Sequence, residues 1–220
     1  MSAQHATLGS SAVAIHSAVM AHAEPVPGLR WADVGCGTGG TIRQIRAYEP
    51  ALLIASDLLP WLPDDLSDVQ FVQGDAVDVL ASLPTVDRLL MVETIEHLDA
   101  PWTALRLAAR KIAPGGLLVA TTPNIRSLRH RLELPVRGAL TSFRSSDTAH
   151  LTPVLFHVAQ RVLGEEGLAA SAFYAMCDVI PSTRGHHWPQ SLAARFPVLL
   201  NASLGIVARR PYSNRNQGLR

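Results

Sequence analysis

A glycine-rich turn near the start of the chain is the first feature that indicates chemistry. The stretch DVGCGTGG (33–40) follows a short apolar run, and its alternating glycines let the backbone approach a ligand closely. A phosphate-binding P-loop would need Lys followed by Ser or Thr after the glycines, but Thr41 and Ile42 stand there. The sequence therefore excludes a P-loop nucleotidase and leaves open what this turn binds.

Asp33 narrows the choice of ligand. The glycines fit the dinucleotide fingerprint G-x-G-x-x-G at Gly35, Gly37 and Gly40. A carboxylate two residues before the first glycine is poorly placed for a negatively charged pyrophosphate, and it suits a ligand with an ammonium or sulfonium group. We therefore do not favour a nicotinamide oxidoreductase. The alternative is that Asp33 only caps the loop by accepting backbone N–H bonds.

Two further acids end the next two predicted strands. Asp57 closes ALLIASD (51–57), where an acid accepts hydrogen bonds from ribose hydroxyls, and Gly74-Asp75-Ala76 closes the following strand. A side-chain acceptor at Asp75 could meet an adenine amino group. Because the carboxyl ends of parallel strands meet at one edge of a sheet, we expect Asp33, Asp57 and Asp75 to surround one ligand.

The fourth predicted strand ends in a second chemical motif, E-x-x-E-H. If the turn is α-helical, Glu93 and His97 share a face at i, i+4, with Glu96 beside them. Together with His150 these groups could bind a divalent cation, and hard oxygen ligands suit Mg²⁺ or Mn²⁺. The alternatives are that His97 is a metal-free general base, or that the motif positions a cofactor or caps the next helix.

The elements that position these residues follow an alternating pattern. Five apolar strands end at or near Cys36, Asp57, Asp75, Glu93 and Thr122, and helices are predicted over about 8–23, 41–48 and 101–112. Continuous apolar strands between helices predict a parallel sheet covered on both faces, that is, a Rossmann-like doubly wound α/β fold.

The rest of the chain completes this domain. Residues 124–150 form an insertion after strand 5, and its five arginines (126, 129, 131, 137 and 144) are interpreted either as a solvated face or as a lid that contacts an anionic acceptor. A helix is predicted from Thr152-Pro153 to about Glu165, then strands over 168–176 and 201–209. We predict one domain over 1–210, with an N-terminal helical segment (1–28) and a disordered tail (211–220).

Taken together, these motifs resemble the class I S-adenosylmethionine-dependent methyltransferases. The resemblance covers roughly residues 30–175 and includes APGG (113–116) before the fifth strand. It implies a seven-stranded sheet whose last strand is antiparallel, with S-adenosylmethionine across the glycine turn. The implied cofactor-binding residues are Asp33, Gly35, Gly37, Gly39, Asp57, Leu58, Asp75, Ala76 and Glu93. The implied catalytic residues are Glu96, His97 and His150, and the candidate metal ligands are these three with Glu93.

Two groups of enzymes share the E-x-x-E-H detail. The small-RNA 3′-terminal ribose methyltransferases carry it with a later His-x-x-His, whereas Leu151-Thr152-Pro153 follows His150 here. The segment TTPNIRSLRHRL…HLTP is more similar to bacterial relatives of the ubiquinone-biosynthesis O-methyltransferases, many of which methylate sugars, polysaccharides or natural products. The resemblance implies an O-methyltransferase acting on a small molecule or glycan, with a sugar hydroxyl favoured. RNA ribose methylation and a non-catalytic S-adenosylmethionine-binding module are the alternatives.

Composition limits the partners. The 220 residues carry a formal net charge of +1, so no overall field favours nucleic acid. The 2 cysteines lie far apart and form no disulfide or zinc pattern. We see no signal peptide and no membrane-spanning stretch, so we expect a cytoplasmic protein. The sequence leaves a homodimer open, and an anionic group on the acceptor would suit the arginines of the insertion.

Overall fold

The protein is described here from a computed structural model. The structure describes residues 13–60, 63–143, 149–181 and 185–212. The start of the predicted N-terminal helix, Arg144, and residues 213–220 of the predicted tail lie outside these ranges. No helix in the described ranges is long and apolar enough to cross a bilayer.

The core is one seven-stranded sheet in the order β3-β2-β1-β4-β5-β7-β6. The first five strands pair in parallel, whereas β7 runs antiparallel to both β5 and β6. The predicted doubly wound fold with an antiparallel last strand is thus confirmed. The strands are β1 Arg30–Val34, β2 Leu52–Asp57, β3 Gln70–Gln73, β4 Val86–Val92, β5 Ile112–Pro123, β6 Ala169–Cys177 and β7 Asn201–Arg209.

Helices cover both faces of this sheet. They are α1 Val13–Ala23, α2 Gly40–Arg46, α3 Ala76–Ser82, α4 Pro101–Arg110, α5 Leu128–Arg137, α6 Phe156–Glu165, α7 Gln190–Arg195 and α8 Pro197–Leu200. Short 3₁₀ turns lie at Asp64–Leu66, Ile95–His97 and Thr141–Phe143. Helices α1 and α2 pack on one face, and α3, α4 and α6 pack on the other.

Strand β4 shows why the apolar runs are continuous. Leu89 and Met91 belong to one hydrophobic core, and Leu90 and Val92 belong to the other, on the opposite face. All four side chains are buried. Because β4 packs against a core on each face, its position in the sheet is fixed. Its carboxyl end, and therefore Glu93, has a fixed place in the fold.

The predicted start of the helix at Thr152-Pro153 is wrong. Helix α6 begins at Phe156, and the residues before it are not helical. Tertiary contacts override the capping signal, because the amide of Thr152 donates to the carbonyl of Glu96 and Val154 is fully buried. This segment thereby holds the E-x-x-E-H turn from outside.

Four helices were missed in the sequence, namely α3, α5 and the short helices α7 and α8 between the last two strands. Helix α3 has only 7 residues and starts directly at the Asp75 N-cap, so it has too few turns to show a periodicity. Helix α5 lies in the insertion and begins at an Ser127 N-cap, whose hydroxyl accepts from the amide of His130. Helix α5 lacks the usual apolar periodicity because the residue that it buries, His130, is polar.

Candidate functional site

A cavity of about 260 Å³ opens at the carboxyl ends of the parallel strands. Its wall comes from the turns after β1, β2, β3 and β4, where the sequence placed the candidate acids. The predicted site residues that line it are Asp33, Gly35, Gly37, Asp57, Leu58, Asp75, Ala76, Glu93 and His97. Gly39, Glu96 and His150 are not part of this wall.

Asp33 is the most unusual group in the cavity. Its side chain is 1% exposed, and neither carboxylate oxygen has a hydrogen-bond partner among the described residues. Burial, with a smaller contribution from the negative charge of Asp57, raises the pKa of Asp33 to about 7. Asp33 therefore does not cap the glycine turn, which removes the capping alternative. A buried carboxylate facing a cavity is suited to a cationic ligand group.

Asp57 performs the capping role instead. Its Oδ2 accepts a hydrogen bond from the amide of Gly37 at 2.9 Å, and its Oδ1 accepts from the amide of Leu59 at 3.1 Å. The amides of Gly35 and Cys36 donate to the carbonyl of Ser56. The end of β2 thus holds the glycine turn, so the acid and the turn occupy one fixed arrangement.

Asp75 lies on the third side of the cavity as the N-cap of α3. Its Oδ1 accepts from the amide of Val77 at 2.8 Å, which leaves Oδ2 as the atom that a ligand would use. Ala76 and Leu58 provide apolar wall nearby, and Leu58 is 65% exposed although it lines the cavity. A planar ligand group with a polar edge would suit this corner.

Two positions in the turn, Gly35 and Gly39, require glycine because of their backbone conformation and their close neighbours. Gly35 has φ of +77°, and a Cβ on it would overlap the side chain of Thr94. Thr94 is itself fixed, because its hydroxyl donates to the backbone carbonyls of Val34 and Val92. Gly39 also has φ of +77°, but it packs against Leu66 rather than facing the cavity. The positive φ and the packing against Leu66 together account for Gly39.

Glu93 turns the chain at the end of β4. It has φ of +49°, which is uncommon outside glycine and marks local strain. Its Oε1 accepts a hydrogen bond from the hydroxyl of Ser203 at 2.9 Å, and burial raises the pKa of Glu93. The left-handed turn and the 3₁₀ turn that follows replace the α-helix that the i, i+4 argument assumed, so Glu93 does not join the other candidate metal ligands.

Glu96, His97 and His150 do come together. Their ligand atoms all lie within 4.8 Å of one another. Glu96 is fully buried, neither of its carboxylate oxygens makes a hydrogen bond of ordinary geometry to the described residues, and the pKa of Glu96 is raised by burial and by the charge of Glu93. The structure thus brings together three of the four candidate metal ligands and leaves Glu93 outside the group, and metal binding by these residues stays a prediction.

The two imidazoles of this cluster are oriented by backbone carbonyls. Nδ1 of His97 lies 2.8 Å from the carbonyl oxygen of Ala149, and Nδ1 of His150 lies 2.6 Å from that of Ser142. With Nδ1 protonated as the donor, the lone pair of each ring is on Nε2. Nε2 of His97 lies 3.9 Å from Oε1 of Glu96. This is the orientation by which proteins prepare histidines for a metal ion.

The N-terminal helix contributes a cavity residue, His16, that the sequence predicted to be structural. His16 lines the cavity, and its Nδ1 lies 2.7 Å from the hydroxyl of Thr41. A Cβ on Gly40 would meet its ring, so α1 packs directly over the glycine turn. A lone histidine in an alanine-rich helix carries no motif, and only the fold brings it to the site.

The arginines of the insertion do not line the cavity among the described residues. Arg129 instead donates to Glu133 and lies 3.8 Å from the buried carboxylate of Asp178. The contact between these arginines and an anionic acceptor stays a prediction.

The comparisons with known proteins agree with this geometry. A family described as a methyltransferase domain matches residues 14–158, which is more than half of the chain. The ubiquinone biosynthesis O-methyltransferase of Xanthomonas campestris pv. campestris is 32% identical over 108 residues, covering 45% of this chain and 45% of that protein. The chain thus matches less than half the length of that curated relative.

Solved structures show the same fold at low sequence identity. An S-adenosylmethionine-dependent methyltransferase from Archaeoglobus fulgidus is 18% identical, with a TM-score of 0.61 over 89% of this chain and 93% of that one. The N-methyltransferase NodS from Bradyrhizobium japonicum, in complex with S-adenosyl-L-homocysteine, is 15% identical, with a TM-score of 0.55 over 89% and 85%. By its domain match and its fold, this chain belongs to the class I S-adenosylmethionine-dependent methyltransferases.

Proposed function

We propose that this chain binds S-adenosylmethionine in the described cavity and transfers the methyl group to a hydroxyl of a small molecule or glycan, with a sugar hydroxyl as the favoured acceptor. The observation that carries the proposal is the buried carboxylate of Asp33 on the cavity wall, without a hydrogen-bond partner among the described residues. Such a group is costly unless a cationic ligand compensates it. The ammonium of the methionine part supplies that charge.

The remaining wall residues bind different parts of the cofactor. Asp57 stands at the end of β2 to accept hydrogen bonds from the ribose hydroxyls, and Asp75 with Ala76 and Leu58 forms the adenine corner. Gly35 and Gly37 let the methionine part approach the backbone. S-adenosylmethionine supplies a methyl group on a sulfonium centre, so the protein needs only to align the acceptor and to manage one proton.

The cluster of Glu96, His97 and His150 is the proposed device for that proton. An alcohol is a poor nucleophile while protonated, and a divalent cation would lower the pKa of an acceptor hydroxyl. The buried carboxylate of Glu96, which makes no hydrogen bond of ordinary geometry to the described residues, and the two oriented imidazoles fit such an ion. Because two of the three ligands are nitrogens, the set suits Mn²⁺ better than Mg²⁺, which prefers oxygen.

The acceptor class rests on weaker support than the cofactor. The name of the curated relative supports a hydroxyl acceptor, and the resemblance of residues 121–153 to sugar-methylating bacterial relatives supports a sugar. His97 lines the cavity and also belongs to the cluster, so it connects the cofactor to the acceptor side. The RNA alternative gains no support from the near-zero net charge.

Methyl transfer from labelled S-adenosylmethionine to sugars, phenols and short RNAs, with Mn²⁺ present, tests the proposal. We expect label in a hydroxylated small molecule or glycan. His97→Ala should lower turnover by about a hundredfold or more while keeping affinity for S-adenosylhomocysteine. His157→Ala is the matched control, because His157 is exposed on α6. Label only in RNA would replace the acceptor assignment. Loss of cofactor affinity in His97→Ala would mean that His97 serves to bind the cofactor, not to manage the acceptor proton.

A further inference from the structure

The cavity wall carries one carboxylate more than the cofactor assignments use. The acids that line the cavity are Asp33, Asp57, Asp75 and Glu93. The first three are assigned to the ammonium, the ribose and the adenine, which leaves Glu93 without a role. The described residues of this wall include no arginine or lysine that could balance its charge. An additional acid in such a wall indicates a ligand with a second positive charge.

Glu93 is held so that its carboxylate stays at this place. Its φ of +49° costs energy in a residue that has a Cβ, and strain of this kind is concentrated at functional sites. Its amide donates to the hydroxyl of Thr121 on β5 at 3.0 Å, and its Oε1 accepts from the hydroxyl of Ser203 on β7 at 2.9 Å. Two neighbouring strands thus fix both the backbone and the carboxylate.

The charged form of Glu93 is supported by its neighbours. Burial raises the pKa of Glu93, and the hydrogen bonds from Thr121 and Ser203 oppose that shift because they stabilise the carboxylate. Ser203 is 1% exposed, whereas Glu93 is partly exposed and lines the cavity. The carboxylate is therefore accessible to a ligand although it already has one hydrogen-bond donor.

The order of the strand ends places Glu93 beside the reactive part of the cofactor. In the sheet order β3-β2-β1-β4, the adenine corner and the ribose acid lie on one side of β1, and Glu93 lies on the other. S-adenosylmethionine carries adenine, ribose and sulfonium in that order along its length. Its methyl group must face the acceptor cluster, which begins at Glu96, three residues after Glu93. We therefore expect the sulfonium on the side of Glu93.

We propose that Glu93 recognises the positive charge of the sulfonium and thereby favours S-adenosylmethionine over its demethylated product. This inference rests on the proposed function. When the methyl group moves to the acceptor oxygen, the electron pair of the broken bond stays on sulfur, which becomes a neutral thioether. Glu93 then loses its counter-charge, which favours release of the product. Asp33 cannot make this distinction, because both ligands carry the ammonium.

Calorimetric titration at about pH 8, without acceptor or added metal ion, tests the proposal. Glu93→Gln keeps the size of the side chain and an acceptor for Ser203, but it removes the charge. We expect the dissociation constant of S-adenosylmethionine to rise about tenfold or more, and that of S-adenosylhomocysteine to change less than about twofold. Asp33→Asn should weaken both ligands by the same factor and leave their ratio unchanged.

Two further variants separate the charge from the fold. Ser203→Ala keeps the charge of Glu93 but removes the bond that orients it, so it should change the ratio in the same direction by about threefold. Glu49→Gln is the matched control, because Glu49 has φ of +48° but is exposed and lies outside the cavity wall. It should change neither constant. Binding of S-adenosylhomocysteine shows that each variant is folded.

The outcomes distinguish this inference from the function on which it rests. If Glu93→Gln weakens both ligands equally or changes neither constant, the proposal is overturned and the proposed function stands. If Glu93→Gln fails to fold, an unchanged ratio in Ser203→Ala overturns the proposal in its place. A wild-type chain that binds neither ligand would contradict the proposed function itself.

Discussion

The carboxylate of Asp57 accepts a hydrogen bond from the amide of Gly37 at 2.9 Å. The acid that ends β2 therefore holds the glycine turn that follows β1, 20 residues earlier in the chain. A ligand that approached both groups would meet a surface whose donors and acceptors are already fixed in position, which lowers the entropy cost of binding.

Asp57→Ala should weaken S-adenosylhomocysteine binding by roughly tenfold to a hundredfold, because it removes both the ribose acceptor and the brace on Gly37. Calorimetric titration gives the dissociation constant. Asp64→Ala is the control, since Asp64 is an exposed acid outside the cavity wall. An unchanged dissociation constant in Asp57→Ala would remove the ribose assignment.

Gly35→Ala should destabilise the chain more than Gly28→Ala does. Both glycines have φ of +77°, but a Cβ on Gly28 meets nothing within 4 Å, whereas one on Gly35 overlaps Thr94. Gly28→Ala should cost about 1 to 2 kcal/mol of unfolding free energy, from backbone strain alone. Gly35→Ala should cost about 3 kcal/mol or more, because overpacking adds to the strain. Urea denaturation measures both, and equal costs would mean that Thr94 yields easily.

Glu96→Gln should abolish Mn²⁺ binding to the ligand-free chain, because a neutral amide replaces the charged ligand of the cluster. Glu93→Gln is an informative comparison, since Glu93 lies outside the group of ligand atoms within 4.8 Å. We expect Glu93→Gln to retain Mn²⁺ binding. Titration calorimetry of both variants decides the point, and a wild-type chain that takes up no Mn²⁺ would leave His97 as a metal-free base.

Affinity for S-adenosylhomocysteine should fall as pH falls below about 7. The pKa of Asp33 is raised to about 7 by burial and by Asp57, so at lower pH the free chain carries a neutral carboxyl that must lose its proton to pair with the ligand ammonium. The dissociation constant should rise by up to about tenfold for each pH unit below that value. Asp33→Asn should bind weakly with little pH dependence between about pH 5 and pH 8; a wild-type constant that does not change over this range would argue against the ion pair.

The strand-end acids could be predicted from sequence because each follows an apolar run directly. Asp33, Asp57 and Asp75 sit at the carboxyl ends of parallel strands, so the order of elements along the chain already fixed their common edge. Glu93 shows the limit of such arguments. Its spacing to His97 suited an α-helical face, but a left-handed residue and a 3₁₀ turn changed the geometry.

His16 and α5 could not be predicted for a different reason. His16 reaches the cavity only because α1 packs over the glycine turn, which is a contact between segments that no local pattern encodes. Helix α5 leaves Leu132, Leu134 and Val136 exposed, so the usual assumption that leucines mark a buried face fails there.

The most direct test of the central claim is calorimetric titration of the wild-type chain with S-adenosylhomocysteine, with NADH as the comparison ligand. We expect saturable binding of one S-adenosylhomocysteine per chain at about pH 8, and no heat from NADH. Saturable binding of NADH without binding of S-adenosylhomocysteine would contradict the assignment of Asp33, which rests on a cationic ligand in this cavity.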